Sequence, residues 1–169
     1  KIDYPSTIII EISERLKMAY LEVPDGYAII DTNGYVLEIE RGDPPSGIPL
    51  IKGLSVESAT LGTQVVLVQQ YGLDQNMIVL SAIVSADVQY AQSEDTLMSY
   101  VRSIRYVEGG ISFLAVELPH DNRIIHVKIG SLNNINEDMA WLRHAVFSGV
   151  FEDATGSLLD MTGSKHSLR

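Results

Sequence analysis

GYAIIDTNGYVLEI, residues 26–39, is the stretch that decides the fold. Two apolar runs rich in β-branched and aromatic residues, 27–31 and 35–39, flank Thr32, Asn33 and Gly34. Asn-Gly tolerates the positive φ angles of a type I′ turn, whose twist matches that of the flanking strands. The stretch therefore predicts a β-hairpin, and it supplies no catalytic group.

The segments on either side of the hairpin extend the sheet. Upstream, the apolar run 18–21 leads to the turn sequence Pro24-Asp25-Gly26. Downstream, residues 41–47 are polar and contain two prolines, which suit no central strand because proline lacks an N–H donor. Residues 48–53 follow as a short apolar extended segment. Upstream of residues 18–21, the Ile-rich run 8–10 predicts a further strand. These signals predict an antiparallel meander over about the first fifty residues.

Helical signals appear in the middle of the chain and near its end. Asp74 is a fair N-cap for one helix, and the acidic residues of segment 93–96 suit the first turn of another. A third helix is predicted to begin at 136–138, whereas residues 65–68 fit either a strand or a helix start. The apolar stripes are Met77, Leu80, Ile83 and Val84 for the first helix, Leu97, Tyr100, Val101 and Ile104 for the second, and Met139, Leu142, Val146 and Val150 for the third.

Four strand-like runs complete the chain. Residues 104–108, 111–118 and 123–129 are separated by Gly and Pro-containing turns, and residues 157–162 form a last short strand before a polar end. The fold class predicted from these elements is α+β, with an antiparallel or mixed β-sheet and two or three helices packed on it.

Composition narrows the classes of function. The 169 residues carry a formal net charge of −10 and no cysteine, which excludes disulfides, a Cys nucleophile and a Cys zinc site. Basic residues are not clustered in sequence, so nucleic acid and anionic membranes are poor partners. No apolar run of about 18 residues is present. Because the chain opens with Lys1 rather than Met, we expect a fragment whose N-terminal part, with an anchor, is missing.

No catalytic constellation is evident in the sequence, and no cofactor is expected. His120 beside Asp121 could be half of an acid–base pair, but the neighbouring Pro and Asn favour a solvated turn. His126 fits a strand surface, and His144 lacks the spacing of a helical metal site. The single tryptophan, Trp141, fits either an interface anchor or the core.

Five short motifs, in order, resemble those of the FtsQ/DivIB family of bacterial cell-division proteins. Each is weak alone, but together they extend over nearly the whole chain. The motifs are Tyr4-Pro5-Ser6-Thr7-Ile8-Ile9-Ile10 with Glu14-Arg15, Ile30-Asp31-Thr32-Asn33-Gly34-Tyr35-Val36, Ile48-Pro49-Leu50-Ile51-Lys52-Gly53, Val127-Lys128-Ile129-Gly130, and Leu158-Leu159-Asp160-Met161-Thr162. Thr162 departs from the family pattern, which usually has Arg at this position.

The resemblance implies an architecture and a location. Family members have a short cytoplasmic tail, one transmembrane helix, a POTRA domain and a β domain. Residues 1–15 would then be the last strand of POTRA, and residues 16–169 the β domain. The region would lie outside the cell membrane, held there by an N-terminal helix that is absent from this chain.

The resemblance also implies a non-enzymatic scaffold of the divisome, acting in septum formation. Its partners would be the bitopic proteins FtsB (DivIC) and FtsL, bound by β-augmentation at the edge of the C-terminal strand. The residues expected to contact them are Asp160, Met161, Thr162, Gly163 and Ser164, with Phe147 and Phe151 as apolar support. The alternative is a cell-wall hydrolase or sugar-binding domain, which a deep pocket with two carboxylates or a His–Asp pair would favour.

Overall fold

The structure is a computed structural model that describes residues 14–68, 71–90, 95–107, 110–163 and 165–169. Its strands are β1 (Ala19–Val23), β2 (Gly26–Ile30), β3 (Val36–Glu40), β4 (Leu50–Ile51), β5 (Val56–Ser58), β6 (Val66–Leu67), β7 (Val101–Val107), β8 (Ile111–Glu117), β9 (Ile124–Ile129), β10 (Leu158–Met161) and β11 (Ser167–Leu168). Its helices are α1 (Tyr71–Gln89), α2 (Leu97–Tyr100) and α3 (Ile135–Phe147).

In the described part of the chain, nine strands form one mixed sheet in the order β11-β10-β9-β8-β7-β4-β1-β2-β3, and β5 pairs with β6 separately. Most neighbours are antiparallel, but β10 is parallel to β9, and β4 is parallel to both β1 and β7. The predicted α+β class is confirmed. The predicted meander holds for β1 to β3, whereas the segment 48–53 crosses over and joins the two halves of the sheet as β4.

The β2–β3 hairpin is present, but its turn is not type I′. Gly34 has a φ of +76° while Asn33 does not have a positive φ. The Gly34 N–H donates to the Asp31 carbonyl, and the Asp31 carboxylate accepts the N–H groups of Asn33 and Tyr35 at 2.8 and 2.9 Å. The buried Asp31 carboxylate thus holds a longer loop, in which only the glycine needs the left-handed conformation.

Arg15 fastens the start of the described chain to this turn. Its Nη1 lies 2.6 Å from the Asp31 Oδ2, and its guanidinium carbon lies 4.1 Å from the centre of the Tyr35 ring. Of the Glu14-Arg15 motif, the arginine therefore stabilises the hairpin turn through its contacts with Asp31 and Tyr35. The Ile-rich run 8–10 and the proposed POTRA strand lie outside the described residues, and the domain division stays a prediction.

The core lies between one face of the sheet and the helices α1 and α3. Leu114 and Val116 of β8 are fully buried, whereas Phe113 and Ala115, which alternate with them, are only half-buried on the other face. Successive side chains of a strand point to opposite faces of the sheet, so burial alternates along β8 when helices cover only one face. The other face of the sheet carries no helix among the described residues.

The helices differ from the predicted ones at their ends. Asp74 lies within the first turn of α1, which begins at Tyr71. The second helix is a single turn, because Val101 pairs with Val116 and continues as strand β7. Val150 lies beyond the end of α3 and is 57% exposed, so it is not part of the buried stripe. Residues 66–67 of the ambiguous segment form strand β6.

Candidate functional site

The predicted last strand, β10, lies inside the sheet and not at its edge. On one side it pairs in parallel with β9, with Leu159 opposite Val127. On the other side it pairs antiparallel with β11, with Leu159 opposite Leu168. The expectation that β10 leaves one flank bare is therefore wrong, because the chain folds back and covers that flank itself. β11 has two residues, too few to show an alternating pattern in the sequence.

β11 is the outermost strand at this end of the sheet. Arg169 and Leu158 exchange both backbone hydrogen bonds, at 2.9 and 3.1 Å. In an antiparallel pair the next residues along the strands form a non-hydrogen-bonded pair, which here is Leu168 with Leu159. The N–H and C=O of Leu168 consequently point away from β10, and no backbone group among the described residues pairs with them.

The five C-terminal residues predicted to contact a partner occupy different environments. Met161 is 4% exposed and belongs to the core. Asp160 is half-buried and accepts hydrogen bonds from the hydroxyl and the N–H of Thr162, at 2.7 and 3.0 Å. These two bonds hold the pKa of the Asp160 carboxyl below its usual range. Thr162 and Gly163 are exposed, and Ser164 lies outside the described residues.

The two phenylalanines predicted as apolar support pack within the domain. Phe151 is 4% exposed. Phe147 is half-buried, with its ring edge-on to Tyr100 at a centroid distance of 5.6 Å and 5.1 Å from the Arg143 guanidinium carbon. The side chains of Phe151 and Met161 therefore stabilise the core and are not available to a partner, because reaching them would require unfolding this end of the sheet.

Arg123 positions the loop that leads into β10, a role for which the sequence gives no signal. Its Nη2 donates to the Phe151 carbonyl at 2.7 Å, and its Nη1 donates to the Ala154 carbonyl. The loop between α3 and β10 has no regular structure of its own, so these side-chain bonds satisfy carbonyl groups that would otherwise need water. An arginine just before β9 thus binds the loop that leads into β10.

A second set of contacts ties the segment before β11 to α3. The His166 ring lies 4.3 Å from the Trp141 ring, centre to centre, and its Nε2 lies 3.6 Å from the Asp138 Oδ1. Trp141 remains 37% exposed. Trp141 is therefore neither a core residue nor isolated: it lies beside the edge strand, with part of its ring open to solvent.

Groupings that would support catalysis are sparse in the described residues. His120 lies 3.3 Å from the Glu152 carboxylate, but both side chains are largely exposed. His126 and His144 are exposed on β9 and α3. Within the described ranges, no three side chains of the metal-ligating types gather closely enough to hold a metal ion. The cavity at the α1–α3 boundary, about 490 Å³, is bordered by one carboxylate, Asp74, and by no histidine.

Among the described residues, the site and fold together define an α+β domain whose large sheet ends in a short strand, β11, that is paired on one side only. In the part of the chain that the structure describes, no helix has both the length and the apolar character of a membrane span. No protein-family model matches the sequence, and no curated protein matches it either.

Among solved structures, the chain is similar to the major extracytoplasmic domain of the trans isomer of the bacterial cell-division protein DivIB from Geobacillus stearothermophilus. The TM-score is 0.45 and the sequence identity 12%, over 80% of this chain and 96% of that one. A similarity of this level concerns the backbone arrangement and assigns no role to any residue.

Proposed function

We propose that this chain is a non-enzymatic scaffold domain of the bacterial division machinery. On this proposal it lies outside the cytoplasmic membrane and binds FtsB/DivIC-type and FtsL-type bitopic partners during septum formation. The support comes from five motifs in the family's order and from the unpaired edge of the sheet. The observation that carries the proposal is the outward-pointing N–H and C=O of Leu168, because they can accept a strand from another chain.

The docking strand in this proposal is β11, and not β10 as the sequence predicted. A partner strand laid beside β11 would pair with Leu168 and continue the sheet by one strand. Exposed Thr162 and Gly163, in the loop between β10 and β11, stay candidates for side-chain contacts with that partner. Affinity would come from backbone pairing and selectivity from the side chains that flank it.

Nothing in the described residues favours the alternative of a cell-wall hydrolase or sugar-binding domain. The two His–carboxylate contacts, His120 with Glu152 and His166 with Asp138, contain one carboxylate each, whereas glycoside hydrolysis uses a pair of carboxyl groups. The cavity beside Arg15 includes the Asp31 and Glu14 side chains, but Asp31 is already bound to Arg15 and to two backbone N–H groups. The contacts of the Asp31 carboxylate thus stabilise the hairpin.

Leu168→Pro tests the docking strand selectively. Proline removes the outward N–H, whereas the bonds between β11 and β10 use Ser167 and Arg169 and are retained. Leu168→Ala is the matched control, since it shortens the same side chain and keeps the N–H. We expect Leu168→Pro to bind the extracytoplasmic segment of an FtsB/DivIC-type protein about tenfold more weakly than Leu168→Ala, as one lost hydrogen bond predicts.

The measurement is a titration by calorimetry or fluorescence anisotropy, with the thermal midpoint recorded for both variants to show that they fold. Equal affinity of the two variants would contradict docking at β11. No binding of the unmodified chain to segments of this partner class would overturn the proposed function itself. Met161→Pro is unsuitable for this purpose, because Met161 is buried and pairs with β9.

A further inference from the structure

The uncovered face of the sheet carries a depression of about 410 Å³, away from the β11 edge. It lies on the strands β4, β7, β8 and β9. Its floor is apolar, with the half-buried side chains of Phe113 and Ala115, and its rim is basic. The residues around it that carry the inference are Lys52, Arg105, Phe113, Ala115 and His126.

Strand register arranges the basic groups in a row. Arg105 lies opposite Phe113, and Phe113 lies opposite Lys128. Lys52 follows Ile51, which pairs with Ile104, so Lys52 lies beside Arg105 at the end of the row. With strands about 4.8 Å apart, the row Lys52, Arg105, Phe113, Lys128 extends about 14 Å across the sheet, with the aromatic ring between cations.

Lys52 and Arg105 differ from other basic side chains on the surface, whereas Lys128 has Asp160 opposite it on β10. Lys17 and Arg102 are each 2.6 Å from a glutamate. Among the described residues, the side chains of Lys52 and Arg105 make no such ion pair. Arg105 is also held in place, because its side chain lies against Gly53, where an added Cβ would come within 3.4 Å of the Arg105 Nε.

Acidic residues bound the row at both ends. Asp160 lies opposite Lys128 on β10. At the other end Tyr20 pairs with Leu50 in parallel strands, so Glu22, two residues after Tyr20, lies opposite Lys52, two residues after Leu50. The chain as a whole carries a net charge of −10. A long polyanion that extended beyond the row would therefore meet repulsion, whereas a short anionic group would not.

We propose that this row is a second binding surface, separate from the β11 edge, for a short acidic peptide segment with a central apolar side chain. Its carboxylates pair with the Lys52–Arg105 end and the Lys128 end. The apolar side chain lies on Phe113 and Ala115. The apolar floor favours a peptide over a phosphate polymer, which has no group to fill it.

Two synthetic peptides and one polyanion distinguish the possibilities. The acidic probe is acetyl-Glu-Glu-Phe-Leu-Glu-Glu-amide, the neutral probe replaces every Glu with Gln, and the third probe is inorganic polyphosphate. Binding is followed by amide chemical shifts in NMR at 50 and 300 mM NaCl. We expect the acidic probe to shift the amides of β7 and β8 around Arg105 and Phe113, to bind at least tenfold more tightly than the neutral probe, and to weaken at the higher salt.

The double variant Lys52→Glu/Arg105→Glu should lose at least tenfold in affinity for the acidic probe. The matched control is Arg41→Glu, an exposed charge reversal in the loop after β3. Equal losses in both variants would show a general charge effect and overturn the proposal. Tighter binding of polyphosphate than of the acidic peptide would overturn it in favour of a polyanion site. Equal binding of the acidic and neutral probes would also refute it.

Discussion

The buried ion pair between α1 and α3 gives the sharpest test of how this domain holds together. Asp87 Oδ1 lies 2.9 Å from Arg143 Nε, and both side chains are at most 10% exposed. The same carboxylate accepts the N–H groups of Leu97 and Met98 at 2.7 and 3.0 Å. Asp87 therefore joins three elements at once: both long helices and the short helix α2. We predict that Asp87→Ala is strongly destabilising.

The magnitude follows from what the substitution leaves unpaired. Breaking a buried ion pair by removing one partner costs about 3–5 kcal/mol. Arg143 keeps the Asp95 carbonyl at 2.9 Å and the Tyr90 ring at 4.6 Å, so the lower end of that range applies to the charge. Two N–H groups that lose their acceptor add about 1 kcal/mol. The expected loss is about 4 kcal/mol, a large share of the roughly 5–15 kcal/mol that stabilises a typical domain.

The assay is urea unfolding followed by tryptophan fluorescence and circular dichroism, with the slope of the transition checked for two-state behaviour. Glu38→Ala, which breaks the exposed pair with Lys17, is the control and should cost less than about 1 kcal/mol. Asp87→Ala/Arg143→Met should cost less than Asp87→Ala alone, because no charge is then left buried. A loss below about 1 kcal/mol for Asp87→Ala would refute the reasoning. A double variant with a lower free energy of unfolding than Asp87→Ala would refute it as well.

Two further predictions concern a close backbone approach and a carboxyl group. Gly26→Ala should cost about 3 kcal/mol in urea unfolding, because its Cβ would lie 2.0 Å from the Glu40 carbonyl oxygen. Gly47→Ala, at a φ of +78° instead of +142° and with open space around the added Cβ, should cost about 1 kcal/mol. Thr162→Val should raise the pKa of Asp160 toward its usual range, measured by ¹³C NMR titration of the carboxyl group. Because the folded pKa is depressed, Asp160 stabilises the fold above its unfolded pKa and loses this contribution as the pH falls through the folded value. In the variant the contribution shrinks, and a pKa that does not move would contradict the assignment.

Local sequence predicted the elements whose signals are local. Three local predictions agree with the structure: the hairpin of β2 and β3, the strands β8 and β9, and the buried stripe of α3 through Val146. Predictions from local sequence were wrong where pairing with a distant strand determines the secondary structure. Val101 and Ile104 fit a helical stripe, but pairing with β8 makes them strand. The run 48–53 gave no sign that it would cross over to join β1 and β7, because parallel pairing is set by the whole topology.

The candidate site was predictable in kind but not in position. An edge strand near the C-terminus was expected, and one is present, but it is β11 and not β10. Ser167 and Leu168 have no pattern of their own, and the contacts next to them are the Trp141–His166 ring contact and the bonds from Arg123 to the loop before β10. These are single tertiary contacts between residues far apart in the chain, and no periodicity in the sequence predicts them.

The small size of β11 limits what backbone pairing alone can contribute to binding. Leu168 offers one N–H and one C=O, and two hydrogen bonds contribute about 1–3 kcal/mol net. A micromolar complex requires about 8 kcal/mol. The remaining 5 kcal/mol or more corresponds to at least about 200 Å² of buried apolar surface before the cost of association is counted. Trp141, which is 37% exposed and contacts His166 just before β11, is a large apolar side chain that can supply part of this area. A partner strand that also contacted Trp141 on α3 would gain part of this area, whereas a strand that contacted Leu168 alone would not stay bound.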